Sequence, residues 1–271
     1  MRNMFRWAAG CAAALLLPSA GLAAGLHLPR FGGGGGQAIT LRKRLHVNTL
    51  ITEPGTGEID WAGLFSTTTD NFTLPAALKY TPEGRHIIWG RTEYSAAFDS
   101  VSVADVGGSQ IAQFSQTITL SATSVLHDGE KLDIAFAPQA VFFLRGEEGV
   151  RLGGIAIARY DTGRNSLGAT VSWLAATHDS ASNPAGTWDI GAGFGRRLAA
   201  SGVVGKFTPH VNVLWERSTS SPWVTSVFEG IEYQMTDRLA FDMGGQHFGV
   251  NGIATDNQVI FGITLNVGHL R

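Results

Sequence analysis

The sequence predicts an all-β chain, a transmembrane antiparallel up-and-down β-barrel of about twelve strands. Three observations carry that prediction. The first is a change of hydrophobic period: one solid apolar run, Trp7 to Leu17, is followed from about Glu58 to Val267 by short stretches that alternate apolar and polar residues. In the last of these, Val259, Phe261, Ile263, Leu265 and Val267 share one face, while Gln258, Gly262, Thr264 and Asn266 share the other. Side chains of a strand alternate faces, so each stretch has an oily side and a wet side. The second observation is composition: charged residues make up 15% of the chain, which also holds 35 glycines, whereas a soluble domain carries about 25% charge. The third is that Trp61, Tyr94, Phe98, Tyr160, Trp173, Trp188, Trp215 and Phe261 fall on the oily faces, several near strand ends. A soluble β-sandwich alternates too, but its apolar face packs a core and has no need of aromatic girdles.

Taken in order, residues 1–24 read as a secretory signal peptide. Arg2 and Arg6 precede the apolar run, and small residues lead to a cut after Ala23 or Ala24. The run is too short for a spanning helix, which needs about 20 residues. Cys11, the chain's one cysteine, sits too early in the run for a lipoprotein site, and removal of the leader leaves no thiol chemistry. Residues 25–57 form a Gly-rich and basic N-terminal segment: Gly32 to Gly36 reads as a linker, Arg42-Lys43-Arg44 as a solvated charge run, and Leu41 to Ile51 as a short strand or a plug-like turn. The barrel itself is expected over 58–271. Its strand candidates lie near 58–66, 71–80, 86–99, 113–125, 131–144, 150–161, 166–178, 186–197, 206–218, 222–235, 238–248 and 258–268. Turn residues divide them, as at Asp128-Gly129, Asp161-Thr162-Gly163 and Asp256-Asn257. An even number of strands leaves both barrel ends in the periplasm.

On this parity the wet faces line a lumen that receives Arg91, Glu93, Asp133, Arg159, His210, Glu216, Glu232 and Asp242, with the amides Gln139, Asn212, Gln246 and Asn266. Ile155 and Ile157 share the parity of Arg159. Rings of one sign select ions, so a lining of both signs points to weak selectivity or to a closed, salt-bridged interior. No metal site is expected, because His46, His86, His127, His210 and His247 are scattered singly over distant segments. No cofactor is implied either: Gly191-Ala192-Gly193-Phe194-Gly195 imitates a phosphate loop, but its glycines alternate within a strand and no helix follows. The net charge of −2 gives no reason to expect nucleic acid.

Two resemblances add to this reading. His178-Asp179-Ser180 closes one strand and Trp188-Asp189 opens the next, which resembles the active-site stretch of the outer-membrane phospholipase A family, also a twelve-stranded barrel. That resemblance implies Ser180 as nucleophile, His178 as general base and Asp189 as the orienting group. The chain carries Asp189 where that family has Asn, and alternation turns His178 and Ser180 toward the lumen, away from lipid. The second resemblance lies in Phe72 to Pro82 and in Gly230 to Leu239, which look like the outer-membrane barrels assigned to the meta-pathway of phenol degradation. It implies passage of small, often aromatic, solutes. The ending Gly268-His269-Leu270-Arg271 departs from the terminal Phe of the commonest barrels. The expectation is therefore a passive channel or transporter of the Gram-negative envelope. Its partners would be outer-membrane lipid, a small-molecule solute and the barrel-insertion machinery, with no nucleic acid. A lipid hydrolase using Ser180, or a closed structural barrel, is the alternative.

Overall fold

The computed structural model describes residues 51–67, 72–83, 91–106, 109–113, 117–144, 149–178, 185–219, 221–250 and 253–269. Residues 1–24, where a signal peptide is expected, and residues 25–50 lie outside them. The described residues form thirteen strands in one sheet. They are β1 (Thr56–Ser66), β2 (Phe72–Thr81), β3 (Thr92–Val106), β4 (Ser109–Gln113), β5 (Thr117–Asp128), β6 (Leu132–Phe143) and β7 (Val150–Asp161). The remainder are β8 (Asn165–Ala176), β9 (Gly186–Arg196), β10 (Phe207–Ser218), β11 (Val224–Gln234), β12 (Leu239–Val250) and β13 (Ile253–His269). A 3₁₀ turn at Val204–Lys206 is the helical element among them.

Apart from β4 and β5, each strand pairs antiparallel with its chain neighbour, and β1 closes on β13 from Thr56 opposite His269 to Ser66 opposite Gln258. β4 and β5 lie on the same side of β3, β4 against Ser102–Val106 and β5 against Thr92–Phe98. Together they make one interrupted strand of the wall, so the barrel is a closed twelve-stranded one. The third strand runs past its sequence-predicted end. Val101, Val103 and Ile111 alternate with polar or small residues across Gly107-Gly108, a two-residue hairpin signal. β13 likewise begins at Ile253, ahead of the predicted 258.

Burial along the strands is inverted relative to a soluble protein. Large apolar side chains, among them Leu152, Leu167, Val171, Ile190, Met243 and Val259, face outward and are exposed, while Thr123, Thr170, Ser172, Asp189 and Arg159 face inward and are buried. Only a bilayer outside makes this pattern favourable, because lipid accepts the apolar face that water would reject. The aromatic residues sort by rim. All four tyrosines (Tyr80, Tyr94, Tyr160 and Tyr233) stand within two residues of strand ends on the rim that carries Thr56 and His269. Trp173, Trp188, Trp215 and Trp223 stand near the opposite rim, where Trp173 and Trp188 pack with ring centroids 6.0 Å apart. Amphipathic rings collect where apolar and wet layers meet, so the two girdles bound an apolar band.

The wall is tight where backbones meet. A Cβ on Gly153 would lie 1.8 Å from the carbonyl oxygen of Trp173 on the paired strand, and neither atom belongs to a side chain that could swing away. Gly153→Ala is therefore expected to cost about 1–3 kcal/mol. The check is the urea midpoint of the lipid-refolded barrel, followed by the gel shift between folded and heat-denatured chain; an unchanged midpoint would remove the argument.

Candidate functional site: the barrel interior

At the rim holding the strand termini, β1 supplies Glu58 and Asp60, and β2 supplies Lys79, because all three alternate with outward residues such as Ile59, Trp61, Leu78 and Tyr80. Lys79 Nζ lies 2.6 Å from Asp60 Oδ2 and 3.2 Å from Glu58 Oε1, with side-chain exposures of 5%, 2% and 10% for Lys79, Asp60 and Glu58. Thr264 Oγ1 donates to Asp60 Oδ1 at 2.7 Å, joining β13 to the cluster. Just before β1 the chain is already inside: Ile51 and Thr52 are buried, and the Thr52 amide donates to Glu93 Oε2 at 2.8 Å. The Thr52 and Thr81 hydroxyls meet at 2.7 Å.

A second polar group gathers toward the opposite rim on β7 to β10. Ser172 Oγ donates to Asp189 Oδ2 at 2.7 Å. Glu216 stands opposite Asp189 in the ladder, and Arg151 is close enough to act electrostatically on both carboxylates. The Arg151 guanidinium also lies 5.3 Å from the centre of the Phe143 ring. Between the two polar groups the interior turns apolar. Ala135, Ala137, Ile155 and Ile157 form a buried cluster against which Leu214 packs, although Leu214 comes from a strand three places along the wall. Nearby, Phe228 stacks on His210 with centroids 5.2 Å apart. Arg159, also buried, bonds Asp161 at 2.8 Å and stands opposite Asp133 in the register.

Inward positions of β9 carry almost no side chain beyond Asp189. Gly191, Gly193 and Gly195 fall there, and in the ladders Gly168 stands beside Gly193 and Gly230 beside Gly244. These positions form a strip of wall bare of side chains, and its glycines on β9 are buried. At the termini rim the strip reaches a cavity of about 260 Å³ lined by Asp161, Arg164, Arg197, Lys206, Glu232 and Asp237, among others. Gly163, with φ of +83°, makes one edge of that mouth: the Asp161 carboxylate accepts its amide at 2.6 Å, and the left-handed turn suits a residue without Cβ.

The sequence-predicted lining residues Glu93, Asp133, Arg159, His210, Glu216, Glu232 and Asp242 sit at positions alternating with the lipid-facing ones. Arg91 is the exception. It precedes β3, and at the rim its guanidinium pairs with Asp128, both side chains being well exposed. A pair so exposed contributes at most about 1 kcal/mol. The cluster around Lys79 and the position of Arg151 were not singled out from the sequence, though the same alternation marks them: Lys79 lies between Leu78 and Tyr80, and Arg151 between Val150 and Leu152. Of the alternative Ser-His-Asp site, Ser180 lies outside the described residues. His178 lies past the end of β8 and is exposed, while the buried Asp189 carboxylate is engaged by Ser172. Among the described residues no group of three His, Cys, Asp or Glu side chains is placed to hold a metal ion.

No family model matches the chain, and no curated protein matches it. Solved structures do. The NanC porin in its rhombohedral crystal form aligns with a TM-score of 0.54 at 11% identity, over 76% of this chain and 98% of that one. The KdgM porin aligns with a TM-score of 0.50 at 10% identity, over 77% and 98% of the two chains. At such identities the likeness is one of fold, a closed antiparallel barrel. The resemblance to the phenol meta-pathway barrels has no family-level match behind it.

Removing the cation from the Lys79 cluster leaves two buried carboxylates facing each other. Lys79→Met is expected to destabilise the barrel by about 3–5 kcal/mol, and replacing Asp60 by Leu in the same chain should recover part of the loss. Urea unfolding of the two variants is the check. Equal stability of Lys79→Met and wild type would mean that the ion cluster does not hold β1 to β2.

Proposed function

We propose that this protein is a passive channel of the bacterial outer membrane, passing small solutes by diffusion along the barrel interior. The observation that carries the reading is the inward face of β7 to β12. Ionisable groups of both signs occupy its two ends, and the inward positions of β9 between them are glycines without side chains to block the path. The porin fold of the structural neighbours and the apolar outer wall support an outer-membrane setting, and the signal-peptide-like leader supports export. Outer-membrane lipid and the barrel-insertion machinery are then the surroundings the protein meets. Glu93, Asp133, Arg159, His210, Glu216, Glu232 and Asp242 act by setting the field along the path. Among the described inward positions carboxylates outnumber bases, so the path carries a weak preference for cations.

The middle of the path is apolar, with Ile155, Ile157 and Leu214 near the stacked Phe228 and His210. A solute that must shed water there gains by offering a flat apolar face, so small aromatic compounds are the substrate class this interior suits.

Stable single-channel steps are expected when the refolded full chain is added to a planar bilayer. Glu216→Gln and Arg151→Gln should then move the reversal potential in opposite directions, with Glu216→Gln reducing the cation preference. Silence from a chain shown by gel shift to be folded and inserted would overturn the channel. Reversal potentials unchanged in both variants would overturn the assignment of these two residues to its path. For the substrate class, liposomes holding the protein should admit a small uncharged aromatic alcohol faster than an uncharged polyol of similar size; equal rates would remove the aromatic preference alone.

A further inference from the structure

Among the described residues the apolar band of the outer wall has one break. On β11 the outward residues are Thr225, Val227, Glu229, Ile231 and Tyr233, which places Glu229 midway between the rims, with Val227 and Ile231 on either side. Its side chain is 68% exposed. The register sets Val211 of β10 on one side of it and Gly245 of β12 on the other. From β12, His247 Nε2 lies 3.6 Å from Glu229 Oε1, and from β13 Asn257 Oδ1 lies 2.7 Å from His247 Nδ1. Carboxylate, imidazole and amide thus form an outward-facing row across three strands. Elsewhere the described outward charges lie at strand ends, as do Arg196 and Arg217, and the outward positions Leu152, Val171, Trp173, Trp188 and Ile190 on β7 to β9 are apolar.

We propose that this row is where a second copy of the chain packs, so that the barrel is a homo-oligomer in the membrane with Glu229, His247 and Asn257 in the contact. Acyl chains offer neither donor nor acceptor, so a carboxylate facing them at mid-depth is unsatisfied on its outer side. Lipid phosphates carry the same sign as Glu229 and lie at the rims, which excludes headgroups as its partner. A second copy matches in depth, and its imidazole and amide bring the donors that a carboxylate can accept from. Every copy inserts in the same direction, so its own carboxylate, imidazole and amide arrive at the level where the first copy presents them. Gly245, beside Glu229, keeps the wall low at that point, and a side chain there would meet only His247 Nε2, at 3.7 Å, and the carbonyl of Gln258. Small residues beside polar ones let two walls approach closely enough to exchange hydrogen bonds inside a bilayer.

The experiment is native mass spectrometry of the full chain released from lipid nanodiscs, comparing wild type with the Glu229→Leu/His247→Leu double variant. Wild type is expected at a multiple of the chain mass, and the variant mainly at the mass of one chain, its monomer fraction raised at least tenfold. Both substitutions make the lipid face more apolar, so folding should survive, and the gel shift checks it. Because the residues face away from the lumen, conductance per channel should not change, which separates failure of this interface from failure of the channel itself. A single-chain mass for wild type, an oligomer that persists in the folded double variant, or a complex with a different protein would each overturn the proposal.

Discussion

A sheet that crosses a bilayer has no water to satisfy the backbone groups along its edges, and the pairing of β1 with β13 removes both edges at once. Everything else in the barrel follows from that closure. It forces each strand to present one face to lipid and one to the interior, and it brings residues two hundred positions apart into contact, as when Thr264 reaches Asp60. It also makes hydrogen-bonded rows climb the wall, since strands of a closed barrel tilt. One such row joins Ala137, Ile155 and Ser172 to Asp189 and Glu216 near the far rim, and Glu93 stands beside Thr123 toward the termini rim. The polar, apolar and again polar character of the interior is the order of these positions from the termini rim upward.

Two electrostatic regimes coexist in this wall, and burial separates them. The Arg91–Asp128 pair sits in water at the rim, where screening leaves it little weight. Lys79, Asp60 and Glu58 are shut away from water, so each charge is compensated by the others rather than by solvent. Glu229 and His247 belong to neither regime: they are exposed, but to the side that the barrel turns toward lipid. A charge is informative where its surroundings cannot solvate it, and by that measure the Lys79 cluster and the Glu229 row are the two places where this barrel departs from a plain tube.

Much of the fold was legible because a strand has a period of two and a barrel has one apolar side. The predicted stretches 150–161 and 206–218 differ from β7 and β10 by at most one residue, and seven of the eight predicted outward aromatics are among the exposed large hydrophobic residues. The inward parity of the positions from Glu93 to Asp242 follows from the same alternation. What parity could not convey was height and partnership. Arg91 has inward parity with Glu93 yet lies beyond the strand end, and Ile155 and Ile157, which share the parity of Arg159, face the interior with it. β4, which pairs with the far end of β3, falls between the predicted stretches 86–99 and 113–125 because five residues are too few to show a period of two clearly.

The sequence by itself determined which residues alternate, which rings could sit at an interface, and that the chain would spend its hydrophobicity on its outside. Those properties are local: they depend on neighbours one and two positions away. Only the tertiary structure decided that β1 meets β13, that Lys79 lies between two carboxylates, and that Leu214 reaches the isoleucines of β7. Those contacts depend on strand tilt and on the register accumulated around a closed ring, a sum over all twelve strands of the wall that no local window contains.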